Sequence, residues 1–461
     1  MECVSAIPLD DGRMILPDNR WDLVEYSSDT PLVSVVIPYY NQQRQLNLVL
    51  KALTAQTYPL DRLEVVIADD GSAQAPDVGE WASTLSVTVV SQEDKGFRAA
   101  AARNLGASTS KGSILCFLDA DTVPAPDYIR RAVRLPAAAP DTVVVGRRKH
   151  ADLSRLDAGS VSEWLTDNAH TGQGHAHEPQ WLVDGYERTR NLLTPGWDGY
   201  KYMLSAVMTC SRRLFETIGG FDESFVQYGG EDWELANRAF MMGAVFAHEP
   251  AALAWHDGPD WAERPVTDRA AEKNAEALAL VPLLTDPAAR ATGLQYLIPD
   301  VTVVVSTDGH TAPSLLHTVS SVLRGVDAAV WLTGLDAGAL LRELGIHDSR
   351  VRLGEPNPKV LSRCRFVVEV TGRVVFSADS IACLTAGVAP GAAGQVDVEF
   401  GSGSSASVTT WSSRALQRSR RWSEEAGLTT EELIEMLFGV RRVESGSVGI
   451  VVAEEDPLLS W

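Results

Sequence analysis

Short apolar runs alternate with segments of helical period through the first third of this 461-residue chain. PLVSVVIPYYN (31–41) predicts a buried strand that stops at Pro38. QQRQLNLVLKALTAQT follows, with Leu46, Leu48, Leu50 and Leu53 marking a helix. LEVVIADDGS (63–72) and SVTVVS (86–91) predict two more strands, and the Ala-rich KGFRAAAARNLGAS (95–108) a second helix. SILCFLDADTVP predicts a fourth strand, APDYIRRAVRL (125–135) a helix, and TVVVGRR (142–148) another strand. Such alternation predicts an α/β fold with a mostly parallel sheet covered by helices. Ligands of such sheets sit at the carboxyl ends of the strands. The unusual residues fall there: Pro38–Asn41, Asp69–Ser72 and Asp119–Asp121.

The D-x-D of FLDADTVP carries the most chemistry. On a continuing strand, Asp119 and Asp121 would share one side, with Ala120 opposite. Two converging carboxylates need a positive partner, and a divalent cation holding a diphosphate is one. A solvated acidic turn is the plainer alternative. Further on, Gly229 and Gly230 precede Glu231 and Asp232 at the start of an amphipathic helix. The glycines allow a sharp turn or close approach to a ligand. Acids at a helix start also occur with no chemistry attached. HTGQGHAH places His170, His175 and His177 in a polar, Gly-rich stretch, read as a solvated loop. His256 in AWHDG stands alone after an apolar segment.

From about residue 297 the pattern restarts. DVTVVVSTDGHTAPSLLHTVSSVLRG parallels the first strand and helix, CRFVVEVTGRVVFSADSIACL the D-x-D region, and VTTWSSRALQRSR the stretch VMTCSRRLFETIG. This alignment puts Glu369 and Thr371 where the first copy has Asp119 and Asp121. The expected organisation is an extension (1–30), a chemistry-bearing domain (31–296) and a degenerate repeat (297–461) that ends in a helix at TTEELIEMLFGVRR.

Composition narrows the partners. A net charge of −21 argues against nucleic acid and anionic membranes. Five scattered cysteines without C-x-x-C predict reduced thiols and a cytoplasmic protein. The acidic N-terminus is unlike a signal peptide, and no apolar run is long enough to span a bilayer.

VSVVIPYYN, ADDGS, FRAAAARN, LDAD and GGFDESFVQYGGEDWEL, in this order over residues 33 to about 260, resemble family-2 inverting glycosyltransferases of the GT-A fold. The likeness is greatest to the subgroup with the bacterial chondroitin polymerases and the galactosyltransferase C-terminal motif. The resemblance implies a Rossmann-like GT-A sheet with helices on both faces, and a second, degenerate GT-A-like domain. It implies that Pro38 and Tyr40 border the uracil of a UDP-sugar, that Asp70 bonds the base, and that Arg98 and Arg103 line the diphosphate. Asp119 would lie by ribose and metal, Asp121 would be the main ligand of Mn²⁺ or Mg²⁺, and His256 would complete the metal shell. Asp232 would be the general base, with Glu231 and Trp233 shaping the sugar and acceptor pocket. The implied partners are a nucleotide-sugar donor and a glycan, small-molecule or peptide acceptor, with a homo-oligomer possible in principle. Two other readings stand beside this one: a non-catalytic sugar-binding or scaffold protein, and a nucleotidyltransferase, which would leave GGED and His256 unused.

Overall fold

The computed structural model describes residues 5–24, 26, 29–168, 177–258, 269–290, 294–401 and 403–459. They form two compact units, one mainly of residues 6–239 and 244–280, the other mainly of 281–461.

The first unit is built on an eight-stranded sheet. Its sheet strands and longer helices include β1 (Val33–Tyr39), α1 (Gln43–Thr54), β2 (Leu63–Asp69), β3 (Ser86–Ser91), α2 (Ala99–Thr109), β4 (Ile114–Leu118), β5 (Thr122–Pro124), β6 (Thr142–Ala151), α3 (Gln180–Arg188), β7 (Val207–Ser211), α4 (Glu231–Met241), β8 (Val245–Asp257) and α5 (Arg269–Leu280). The strand order is β3-β2-β1-β4-β7-β6-β8-β5. The pairs from β3 to β4 are parallel, β7 is antiparallel to both neighbours, β8 runs parallel to β6, and β5 is antiparallel to β8. Val33, Val35, Val36 and Ile37 of β1 have no exposed surface, as a central strand covered on both faces requires.

Pro38 does not stop β1, which continues to Tyr39 opposite Asp69. The ladder to β4 ends earlier, at Val36 opposite Phe117, so the donor that proline lacks has no partner to miss on that side. Residues 6–24 are not a loose extension. Leu16 and Val24 pack with Leu135, Val144 and Val245. Buried Asn19 donates to the carbonyls of Leu192 and Phe246 at 2.6 and 2.9 Å and accepts from the Phe246 N–H at 2.8 Å.

The second unit repeats this plan. Its strands are β9 (Val301–Ser306), β10 (Ala328–Thr333), β11 (Val351–Leu353), β12 (Phe366–Thr371), β13 (Val374–Phe376), β14 (Gln395–Glu399), β15 (Ser407–Ser412), β16 (Val440–Glu444) and β17 (Ile450–Val452). The order β11-β10-β9-β12-β15-β14-β16 matches β3-β2-β1-β4-β7-β6-β8 of the first sheet, sense for sense. β13 pairs antiparallel with β17, as β5 does with β8.

Register corrects the alignment made from sequence. Val33 faces Ile114 in the first sheet, and Val301 faces Phe366 in the second. Asp119 therefore corresponds to Thr371, and Asp121 to Arg373, two positions beyond the apolar match. The predicted C-terminal helix starts on a capping box at Thr429 and Glu432, but it ends at Phe438 and the chain turns into β16.

Candidate active site

At the carboxyl ends of β1 and β2, Asp70 is 7% exposed. Its carboxylate accepts from Gln92 Nε2 at 2.5 Å and from the backbone N–H of Arg98 at 2.8 Å. Arg98 thus contributes its main chain here, at the start of α2. Asp69 turns the chain by accepting from the Ser72 N–H at 3.0 Å. Gly71, at φ +81°, is required: a Cβ there would lie 2.3 Å from the backbone nitrogen of Asp94. Tyr40 is 48% exposed, its hydroxyl 3.4 Å from Asp94.

The D-x-D does not lie on a strand. β4 ends at Leu118, and Asp119–Asp121 form the turn into β5, closed by Thr122 N–H donating to the Asp119 carbonyl at 3.0 Å. Strand alternation therefore does not set the two side chains, and they find different partners. Asp119 accepts from Arg103 at 2.8 Å, and the same guanidinium reaches Glu231 at 3.1 Å. Asp121 meets His256 Nδ1 at 3.1 Å. Burial pushes the Asp121 carboxyl up, but the His256 hydrogen bond and charge, with the field of Arg148, outweigh it and hold it below the usual range. His256 is positioned by β8, which bulges between Glu249 and Leu253 and then places His256 opposite His150 and Thr122. The His150 ring contacts His256 edge-on at 5.0 Å and stacks on His177 at 5.3 Å. His177 bridges His150 through two backbone hydrogen bonds, while His170 and His175 lie outside the described residues.

The third corner is the start of α4. Gly229 and Gly230 have φ of +89° and +96° and deliver Glu231 and Asp232 to the site. Glu231 is 7% exposed, and its Oε2 is buried without a hydrogen-bond partner. Asp232 is pushed up to about 7, first by burial and then by the neighbouring Glu231 charge, with Arg103 opposing. A carboxyl titrating near neutrality can take a proton at physiological pH.

These corners open on one cavity of about 830 Å³. It is lined by Pro38, Tyr40, Asp70, Arg103, Asp119, Asp121, Glu231 and Asp232. Arg98 and His256 stand outside the lining, the latter behind Asp121. The wall also includes Arg148, Trp181, Lys201, Tyr202 and Lys273, which motif reading missed. GRRKH after an apolar strand looks like a solvated basic edge, and the others belong to segments without a motif. Among the described residues, no three His, Cys, Asp or Glu side chains form a metal cage. No helix among them is long and apolar enough to cross a membrane.

Residues 34–197 match Glycosyl transferase family 2, and residues 197–250 match the N-terminal domain of galactosyltransferase. Chondroitin synthase of Escherichia coli is 31% identical over 258 residues, covering 52% of this chain and 37% of that protein. Validoxylamine A glucosyltransferase of Streptomyces hygroscopicus subsp. jinggangensis is 33% identical over 233 residues, covering 47% of this chain and 53% of that one. This chain thus spans about half or less of the length of these curated relatives. Among solved structures, a mannosyltransferase of Pyrobaculum calidifontis in complex with GDP-Man and Mn²⁺ matches at TM-score 0.36 and 24% identity, over 57% of this chain and 67% of that one. The likeness to family 2 glycosyl transferases thus covers residues 34–197, and the galactosyltransferase likeness follows it over residues 197–250.

Proposed function

We propose that this chain is a metal-dependent, inverting glycosyltransferase that moves a sugar from a UDP-sugar to an acceptor hydroxyl or thiol. The observation that carries the reading is Asp232. It is a carboxyl with a pKa near neutrality, and it lines the same cavity as Asp121. A carboxyl able to take a proton on the acceptor side and an ionised one on the donor side are what a single displacement needs.

The donor's base would lie by Pro38, Tyr40 and Asp70, where an exposed tyrosine face can stack on a ring. Asp121 and His256, 3.1 Å apart, fit a divalent cation and would hold it beside the diphosphate. The imidazole favours Mn²⁺ over Mg²⁺. When bound, the ion neutralises charge on the departing diphosphate. Asp119 keeps one oxygen on Arg103, and the other would serve ribose or metal. Arg103 ties Asp119 to Glu231, holding the donor side and the start of α4 in fixed relation. Asp232 takes the acceptor proton as the oxygen or sulfur bonds to the anomeric carbon and the bond to the diphosphate breaks. One such step inverts the centre.

The acceptor would be a glycan, a small molecule or a peptide, and the setting cytoplasmic. The test is incubation with Mn²⁺ and a panel of nucleotide sugars, measuring nucleotide release with and without acceptors. No release from any donor would exclude the reading.

A further inference from the structure

Arg148 is a cation of the cavity wall to which the residues discussed so far give no role. Arg148 lies on β6 opposite Ala254 of β8, two positions before the His150–His256 pair. Strand alternation puts it on the same face as His150, and the register puts it on the same face as His256. It lines the cavity with Asp121, and its charge is felt at that carboxylate.

Its donors are unspent. Nε is closed off from solvent and has no hydrogen-bond partner. Among the described residues, no carboxylate is within salt-bridge distance of Arg148. Three other basic groups nearby are held by carboxylates: Arg147 by Glu178 at 2.5 Å, Arg103 by Asp119 and Glu231, and Lys273 by Glu276 at 2.6 Å. In a chain of net charge −21 an acceptor for Arg148 was easy to supply, yet none is placed there. A partly buried guanidinium with idle donors loses hydration and gains nothing until a ligand brings acceptors. Its planar fork matches the oxygens of a phosphate group.

We propose that Arg148 binds the diphosphate of the donor, gripping phosphate oxygens beside the Asp121–His256 pair and holding the charge that gathers there as the sugar leaves. This rests on the nucleotide-sugar reading of the preceding subsection. Arg148 would then share with the cation the work of stabilising the leaving group. A carboxylate on the acceptor would offer the same oxygens to the guanidinium, and the test separates the two sources.

The test is calorimetry on the full chain with Mn²⁺, titrating UDP and, separately, uridine, which has the base and ribose but no phosphate. Loss of a charge-assisted hydrogen bond should weaken UDP binding to Arg148→Gln by about tenfold or more. Uridine affinity should not change, and Arg148→Lys should recover part of the UDP affinity. Unchanged UDP affinity in the Gln variant would overturn the assignment and leave the acceptor as the source of the anion. An equal loss for UDP and uridine would overturn it too, because the substitution would then have disturbed the whole site. Wild-type protein that binds neither UDP nor uridine would overturn the nucleotide-sugar reading beneath it.

Discussion

Asp121 and His256, 135 positions apart, meet at 3.1 Å because β5 and β8 run antiparallel with Thr122 opposite His256. The pairing is a property of the sheet, and either side chain can be removed without unmaking it.

Asp121→Ala should therefore abolish nucleotide release while leaving the fold intact by circular dichroism. His256→Ala should keep some activity but raise the Mn²⁺ concentration needed for half-maximal rate by about 10–100-fold. A metal titration of the rate checks both. Full wild-type activity in excess EDTA would remove the cation from the mechanism.

Asp232→Asn keeps the side-chain shape and cannot accept the proton. Turnover should fall by about 10²–10⁴-fold at saturating donor, with UDP affinity nearly unchanged. Because the folded Asp232 titrates near 7, wild-type rate should rise with pH through that value, and this limb should vanish in the Asn variant. A thiol acceptor would lessen the loss, since it is partly ionised already.

The same shift bears on stability. A folded pKa raised above the unfolded value gives stability that is present below pH 4 and lost as pH rises towards 7. Asp232→Asn should accordingly melt higher than wild type at pH 8, and close to it at pH 4. Equal melting temperatures at pH 8 would mean that Asp232 is not destabilised by its surroundings.

Arg103→Met would strand two carboxylates, Asp119 and Glu231, on a side chain only 4% exposed. Breaking a buried ionic group from one side costs about 3–5 kcal/mol, so denaturant midpoints should drop clearly. Arg103→Lys should restore part of the stability. A Met variant as stable as wild type would mean that the triad contributes nothing to the fold.

The second unit should bind no nucleotide. Thr371 and Arg373 stand where the first unit has Asp119 and Asp121. Titration of the full chain with UDP and Mn²⁺ should saturate at one equivalent. A second equivalent of comparable affinity would refute this.

How much of this was legible beforehand follows from what each residue needs. The D-x-D, Asp70 and GGED could be picked out because they are compact runs of distinctive residue types, and the fold brings them to one cavity. The strands could be found because β1 is apolar throughout. Arg103 could be placed only through the family likeness, and Arg148 not at all, because an arginine on a helix or after a strand is written the same way whether it is solvated or drawn inward. Their placement is set by long-range partners: Asp119 and Glu231 for one, the β6–β8 register for the other. The repeat was legible as an apolar rhythm, but that rhythm tolerates a slip of two because alternate strand positions are equivalent. Only pairing with β9 fixed Arg373 as the counterpart of Asp121.

Arg373 has a consequence for protein engineering. In the first sheet the pair proposed to hold a cation is built on two antiparallel strands: Asp121 precedes β5, and His256 on β8 faces Thr122. In the second, Arg373 precedes β13, and Val452 on β17 faces Val374, the position matching Thr122. Neither proposed ligand has a counterpart there, so no single substitution would supply the pair. Arg373→Asp combined with Val452→His would transplant the pair onto a framework of the same strand order. The chain thus carries its own blank template, on which the minimum number of side chains needed to turn such a sheet into a metal site can be counted by addition.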